Sequence, residues 1–216
     1  MSRKIENRSS NNRIETPLLF VMGDGESERS YFDRLNQMVK TVRIRPYDLG
    51  ESGWKNIIKK CDGRVKAGEV DIKHGDRLAI ITDEDGRYDA SSLSAFQKEC
   101  DRKGYDLFLS NVSFEVWLLM HYERPVSVRS QDDLEERLSH LLGRKYRKSQ
   151  GIPFDIDMLK RAIENAGISL SERDNLKCLG KNPSTTVHFL VGPILEIEDS
   201  VDPNQRSSQM KNTIVL

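Results

Sequence analysis

The stretch RLAIITDEDG, residues 77–86, carries a short apolar run straight into an acidic turn. A run of that length between polar residues reads as a strand buried on both faces. Working outward, TPLLFVM (16–22) and DLFLS (106–110) have the same character, and Val42 to Leu49 suits a further strand. The segments between them have helical spacing instead. Ser27 to Val39 carries Tyr31, Phe32, Leu35, Met38 and Val39; Trp54 to Val65 puts Trp54, Ile57, Ile58 and Cys61 on one face. Leu93 to Lys103 reads as a third helix, closed by Gly104 at its C-cap. Strands alternating with helices predict an α/β fold: a mostly parallel four-stranded sheet flanked by helices.

The second half changes character, and a C-terminal helical extension is expected there. Phe114 to Tyr122 is a dense apolar helix, and Leu134, Leu138, Leu141 and Leu142 mark another. A basic loop, GRKYRKSQG (143–151), follows, and then Ile156, Leu159, Ile163 and Ala166 share a helical face. Asn182-Pro183 reads as a helix start, with Val187, Leu190, Val191, Ile194 and Leu195 on its apolar face. The divisions are a flexible polar lead at 1–15, an α/β core at 16–123, a helical region at 124–199 and a polar tail at 200–216. No internal repeat is visible.

Lys plus Arg and Asp plus Glu both number 34 in 216 residues, so the net charge is zero. That weighs against non-specific nucleic-acid binding by overall charge, although a local basic face is compatible with it. The three cysteines, Cys61, Cys100 and Cys178, are scattered in no metal-ligand spacing, which points to a reducing compartment. No run approaches the ~18 apolar residues of a membrane span, and the basic opening MSRKIENRSSNNRIET has no apolar stretch behind it. The expectation is a cytoplasmic protein with no membrane partner.

In open parallel sheets, sites lie beyond the carboxyl ends of the strands. Three polar segments fall there: GDGESE (23–28), DEDG (83–86) and SNVSFE (110–115). Asp24, Asp83, Asp85 and Glu115 are therefore expected to converge. Asp-x-Asp on an extended backbone places two carboxylates on one side of it. Clustered carboxylates repel unless a cation lies between them, and hard oxygen donors suit Mg²⁺ or Mn²⁺. The bland alternative for DEDG is an acidic surface turn. GDGESE lacks the spacing of a P-loop, and Ser27 is placed to cap the following helix. Glu115 is either a site residue or an acid favoured by a helix dipole. His121 reads as a core histidine before a proton carrier. Ser184 and Thr185, next to His188, are placed to meet a phosphate at a helix start. Arg144, Lys145, Tyr146, Arg147 and Lys148 interleave an aromatic with cations, a pattern suited to a nucleic-acid backbone.

Taken together, the segments resemble the RloB-like family of prokaryotic defence-associated proteins, within the wider Toprim-like nuclease group. The resemblance runs over about residues 17–195. It rests on VMGDGESERSYF (21–32), AIITDEDGRYD (79–89), SNVSFEVWLLMHYE (110–123), GRKYRK (143–148) and NPSTTVHFLV (182–191). Asp24 stands where the Toprim group usually has glutamate, with Glu26 an alternative for that place, and Val112 stands where the family usually has proline. The resemblance implies a Toprim-like sheet with Asp83 and Asp85 holding Mg²⁺ or Mn²⁺, Asp24 sharing the metal or transferring a proton, and Glu28 and Glu115 supporting the cluster. The implied activity is cleavage of nucleic-acid phosphodiesters, RNA or DNA and tRNA among them, in an antiviral or restriction-linked system. A partner ATPase and homo-oligomer formation belong to the same expectation. The alternative is a non-catalytic effector or sensor that keeps the fold and binds a partner.

Overall fold

A computed structural model describes residues 17–23, 25–50, 53–72, 75–124 and 127–200. The lead at 1–15, Asp24 and the tail beyond residue 200 lie outside the described residues. Three strands, β1 (Leu18–Gly23), β3 (Arg77–Asp83) and β4 (Asp106–Asn111), are buried almost end to end. Their side chains alternate between two cores. Leu19, Val21, Ala79, Ile81 and Phe108 face one; Leu18, Phe20, Met22, Leu78, Ile80, Leu107 and Leu109 face the other. A strand has a side-chain period of two, so a continuous apolar run is what a sheet covered on both faces requires. β2 (Arg43–Asp48) buries only Ile44, its other residues being exposed or half-buried, and carries Pro46, as an edge strand can.

Helix α1 (Glu26–Met38) covers the first core, and α2 (Trp54–Lys66) and α3 (Ala90–Lys103) cover the second. Asp89 and Ser92 form a reciprocal capping box at the start of α3, and Gly104 closes it in the left-handed conformation at φ 70°. The short helix α4 (Glu115–Met120) has every residue buried. Helices α5 (Gln131–Leu142), α6 (Ile156–Ser169) and α8 (His188–Ser200) close over it in the first core. Helix α7 (Asn175–Leu179) adds Cys178 to the second.

The sheet has five strands in the order β2-β1-β3-β4-β5, not the four expected. The first four are parallel; the fifth, β5 (Ser184–Thr185), pairs antiparallel with Asn111 and Ser110. The helix read from Asn182-Pro183 accordingly starts later, at His188. The Asn182 amide donates to the Val128 carbonyl at 2.9 Å, and the chain then enters β5. The helical region thus contributes a strand to the core's sheet and shares its apolar packing, so the boundary at 123/124 marks chain order and not a gap in the structure. Among the described residues, no helix is long and apolar enough to cross a membrane.

Candidate functional site

From β1 the chain moves to β2 on one side, then crosses back over β1 to reach β3. The strand order therefore reverses between β1 and β3, and their carboxyl ends flank the crevice where ligands bind in sheets of this kind. The GDGESE and DEDG segments leave from those two ends. Glu28, buried in the first turns of α1, lies over the end of β1: a Cβ on Gly23 would stand 2.6 Å from Glu28 Cβ. Gly23 thus serves a close side-chain approach.

Asp83 ends β3, and its Oδ1 accepts the Phe114 backbone N–H at 2.8 Å. Beyond it, Glu84 N–H donates to the Ser110 carbonyl and Asp85 N–H to the Val112 carbonyl. The segment turns here, with Asp85 at φ 34° and Gly86 at φ 67°. The same-side relation expected for Asp83 and Asp85 needs extended backbone, and that ends at Asp83; Asp85 stands exposed in the turn. A short aspartate is among the residues that tolerate this conformation.

The most enclosed acid is Glu115, with 1% of its surface exposed. Ser27 Oγ donates to its Oε1 at 2.6 Å, Ser113 Oγ donates to its Oε2 at 2.7 Å, and Tyr146 OH lies 3.3 Å from Oε1. Ser27 Oγ and Tyr146 OH are 3.0 Å apart. Two hydroxyl protons serve three contacts in that triangle, and the shorter distances favour Tyr146 donating to Ser27 and Ser27 to Glu115. Lys148 Nζ stands 3.9 Å from Glu115 Oε1 and 3.9 Å from Glu135 Oε1. Ser30 Oγ donates to the Lys148 carbonyl at 2.9 Å. Glu115 stands in the first turn of α4, as the helix-dipole reading placed it, and its contacts extend beyond that. It is a hub that ties α1, the β4–α4 turn and the basic loop together, and through Phe114 that turn also holds Asp83.

A family model described as RloB-like protein matches residues 19–194, a span that runs from β1 into α8. The chain belongs to the RloB-like family. No curated protein and no solved structure matches it.

Several residues of this RloB-like chain sit elsewhere than their sequence suggested. Ser27 does not cap α1; the cap position is Gly25 and has no side-chain hydrogen bond, while the Ser27 hydroxyl serves Glu115. Tyr146 is buried at 3% exposure, so it is not a stacking surface for bases. Burial and the nearby Glu115 carboxylate push its phenol well above the usual range. Arg144, Lys145 and Arg147 remain exposed around it, whereas Lys148 is half-buried. Ser184 and Thr185 lie in β5, not at a helix start. Ser184 Oγ donates to the Cys178 carbonyl at 3.1 Å, and Thr185 Oγ1 is 2.9 Å from Ser110 Oγ, so both are internal groups and not phosphate contacts. His121 is the core histidine its apolar helix suggested. Its Nδ1 is 3.0 Å from the Trp117 carbonyl, which can only accept, so Nδ1 carries the proton and Nε2 accepts from Tyr31 OH at 3.3 Å. Burial lowers its pKa to about 4. Sequence reading missed Ser113 and Ser27 as partners of Glu115; the Ser-x-Glu spacing at a helix start was the available signal for the first.

Among the described residues, no three Asp, Glu, His or Cys side chains come together as a metal-binding group. Glu115 is already enclosed by hydroxyls. The donors beside the crevice, Glu28, Asp83 and Asp85, are all carboxylates. Mg²⁺ is often held through one or two carboxylates, with waters and substrate phosphate completing its shell, so the chemistry of this set suits a hard divalent cation.

Proposed function

We propose that this RloB-like protein is a divalent-metal-dependent nuclease of Toprim-like type, acting on nucleic-acid phosphodiesters in an antiviral or restriction-linked defence system. The observation that supports the reading is that β1 and β3, adjacent parallel strands flanking the point where strand order reverses, each run at the carboxyl end into an acidic segment. Asp83 and Asp85 would hold the cation, with Asp24 sharing it. The chemistry such an ion would supply there is polarisation of a phosphoryl oxygen and activation of water. The protein's own work is positional. Phe114 N–H fixes one Asp83 oxygen, the Glu115 hub fixes Phe114, and Arg144, Lys145 and Arg147 offer cations to the substrate backbone.

The test is cleavage of tRNA, single-stranded DNA and duplex DNA with Mg²⁺ or Mn²⁺. Asp83→Ala with Asp85→Ala should abolish cutting, and Asp83→Asn, which keeps an acceptor for Phe114 N–H, should abolish it without unfolding the chain. Cutting at the wild-type rate in these variants would end the metal assignment. The second reading, a non-catalytic effector that binds a partner ATPase, is favoured by the lack of a three-carboxylate group among the described residues. Calorimetry showing no Mg²⁺ or Mn²⁺ binding, together with co-purification of such an ATPase, would select it.

A further inference from the structure

Tyr146 is the one buried residue between Gly143 and Gln150; its neighbours in the basic loop are exposed or half-buried. Its ring joins the first core, where a phenylalanine ring would fill the same space. Its hydroxyl reaches the Ser27–Glu115 pair instead, 3.0 Å from Ser27 Oγ and 3.3 Å from Glu115 Oε1. A buried carboxylate is costly to desolvate unless its oxygens are hydrogen-bonded. Ser27 and Ser113 meet that need, one on each oxygen of Glu115. What the arrangement fixes is the relative placement of three segments. Glu115 ties Tyr146 of the loop to Ser113, and the residue between Ser113 and Glu115, Phe114, gives its backbone N–H to Asp83 Oδ1 at 2.8 Å. Helix α1 seats the loop's main chain as well. Ser30 Oγ donates to the Lys148 carbonyl, and a Cβ on Gly151 would stand 2.8 Å from the same oxygen. A path of hydrogen bonds, each 3.0 Å or shorter, thus runs from the loop to the carboxylate that ends β3.

We propose that this path couples the basic loop to the proposed cation site, with Tyr146 as the positioning residue. A phosphodiester backbone seated on Arg144, Lys145 and Arg147 holds the loop down, and the hub then holds Asp83 in the pose that takes a cation. The element with two arrangements is the hydroxyl triangle. With the loop seated, Tyr146 donates to Ser27 and Ser27 to Glu115; with Tyr146 withdrawn, Ser27 serves Glu115 alone and the β4–α4 turn loses a tether. Coupling is reciprocal, so a cation that orders Asp83 also tightens the loop's hold on the polyanion. The proposal deepens the nuclease reading and rests on it for what binds at either end. Spatial continuity is not itself coupling, so the test measures the coupling directly.

The experiment is amide hydrogen exchange at Phe114 in the full chain, read by NMR in EDTA with isotope-labelled phenylalanine. The chain has seven phenylalanines, and Phe114→Leu assigns the resonance. Tyr146→Phe keeps the ring and should speed Phe114 exchange about two- to ten-fold, the equilibrium worth of one ordinary hydrogen bond. Tyr122→Phe removes a hydroxyl from the Pro153 carbonyl, outside the path, and should leave the exchange as it is. A duplex oligonucleotide should slow the exchange in the wild type, but neither in Tyr146→Phe nor in Lys145→Gln/Arg147→Gln. That surface pair leaves the core untouched, so it tests the coupling by itself where Tyr146→Phe fails to fold. Wild-type exchange in Tyr146→Phe would overturn the proposal, as would an equal acceleration in Tyr122→Phe. So would an oligonucleotide that leaves the wild type unchanged, or that slows the surface pair as much. Calorimetry with Mn²⁺ separates the two readings. Coupled exchange in a chain that binds no Mn²⁺ would sink the cation assignment and leave the link between loop and Asp83 standing; Asp83-dependent cleavage with uncoupled exchange would do the reverse.

Discussion

Ser27→Ala removes one oxygen from the Glu115 hub and nothing else. The lost contact is a 2.6 Å hydrogen bond to a carboxylate in a buried setting, and such bonds contribute about 1.5–3 kcal/mol. Two effects offset part of that. Tyr146 OH, 3.3 Å from the same carboxylate oxygen, can turn its proton directly to Glu115, returning about 0.5–1 kcal/mol. Alanine is also the better helix former, by about 0.5 kcal/mol. The net loss should be about 0.5–1.5 kcal/mol, which for a chain of this size lowers the melting temperature by roughly 1–6 °C. Urea unfolding followed by circular dichroism measures it. Combining Ser27→Ala with Glu115→Gln gives a double-mutant cycle, and a coupling above about 0.5 kcal/mol is expected for two groups in contact. If Ser27→Ala is as stable as the wild type and the two changes add, the triangle of Ser27, Tyr146 and Glu115 contributes nothing and Glu115 is not the hub described.

Two further outcomes rest on other parts of the structure. Gly23→Ala would press a methyl group to 2.6 Å from Glu28 Cβ and 3.0 Å from its Cγ; overpacking of this kind should cost about 1–3 kcal/mol, and a melting curve matching the wild type would show that Glu28 moves aside freely. His121 has its pKa lowered by burial from 6.5 to about 4, so the unfolded chain takes up a proton in that window before the folded one does. Its contribution is complete above pH 6.5 and is lost as pH falls toward 4, by about 3 kcal/mol. His121→Gln should flatten the stability profile between those values, and an unchanged slope would mean that His121 stays neutral in neither or both states.

The fold was legible where burial is two-sided. Continuous runs such as RLAIIT and TPLLFVM admit little but central strands, and the helices between them keep their apolar spacing in the structure. β5 was illegible because two residues have no period, and what makes them a strand is pairing with Ser110 and Asn111, some 74 positions away in sequence. Asn182-Pro183 imitates a helix start for the same reason: the tertiary partner of the Asn182 amide, Val128, is invisible locally. At the site, the rule on strand ends placed two acidic segments at the adjacent carboxyl ends of β1 and β3, but among the described residues no three acids come together, and Glu115 turns to hydroxyls instead. The fate of Tyr146 was not legible. A tyrosine among four cations looks like a surface residue, and only the fold brings a buried carboxylate within reach of its hydroxyl.

The pairing of β4 with β5 also bears on how the molecule assembles. Until residues 184–186 arrive, β4 presents an unprotected margin, and Leu109 N–H lacks the Thr186 hydroxyl it meets at 2.8 Å. A nascent chain that has emerged only through β4 thus exposes an unpaired strand edge to any neighbouring polypeptide. Sealing that border requires closing a long loop, a step whose entropy grows only slowly with length but which must precede its reward. Escape from self-association during synthesis therefore hangs on a two-residue clasp supplied much later in the chain.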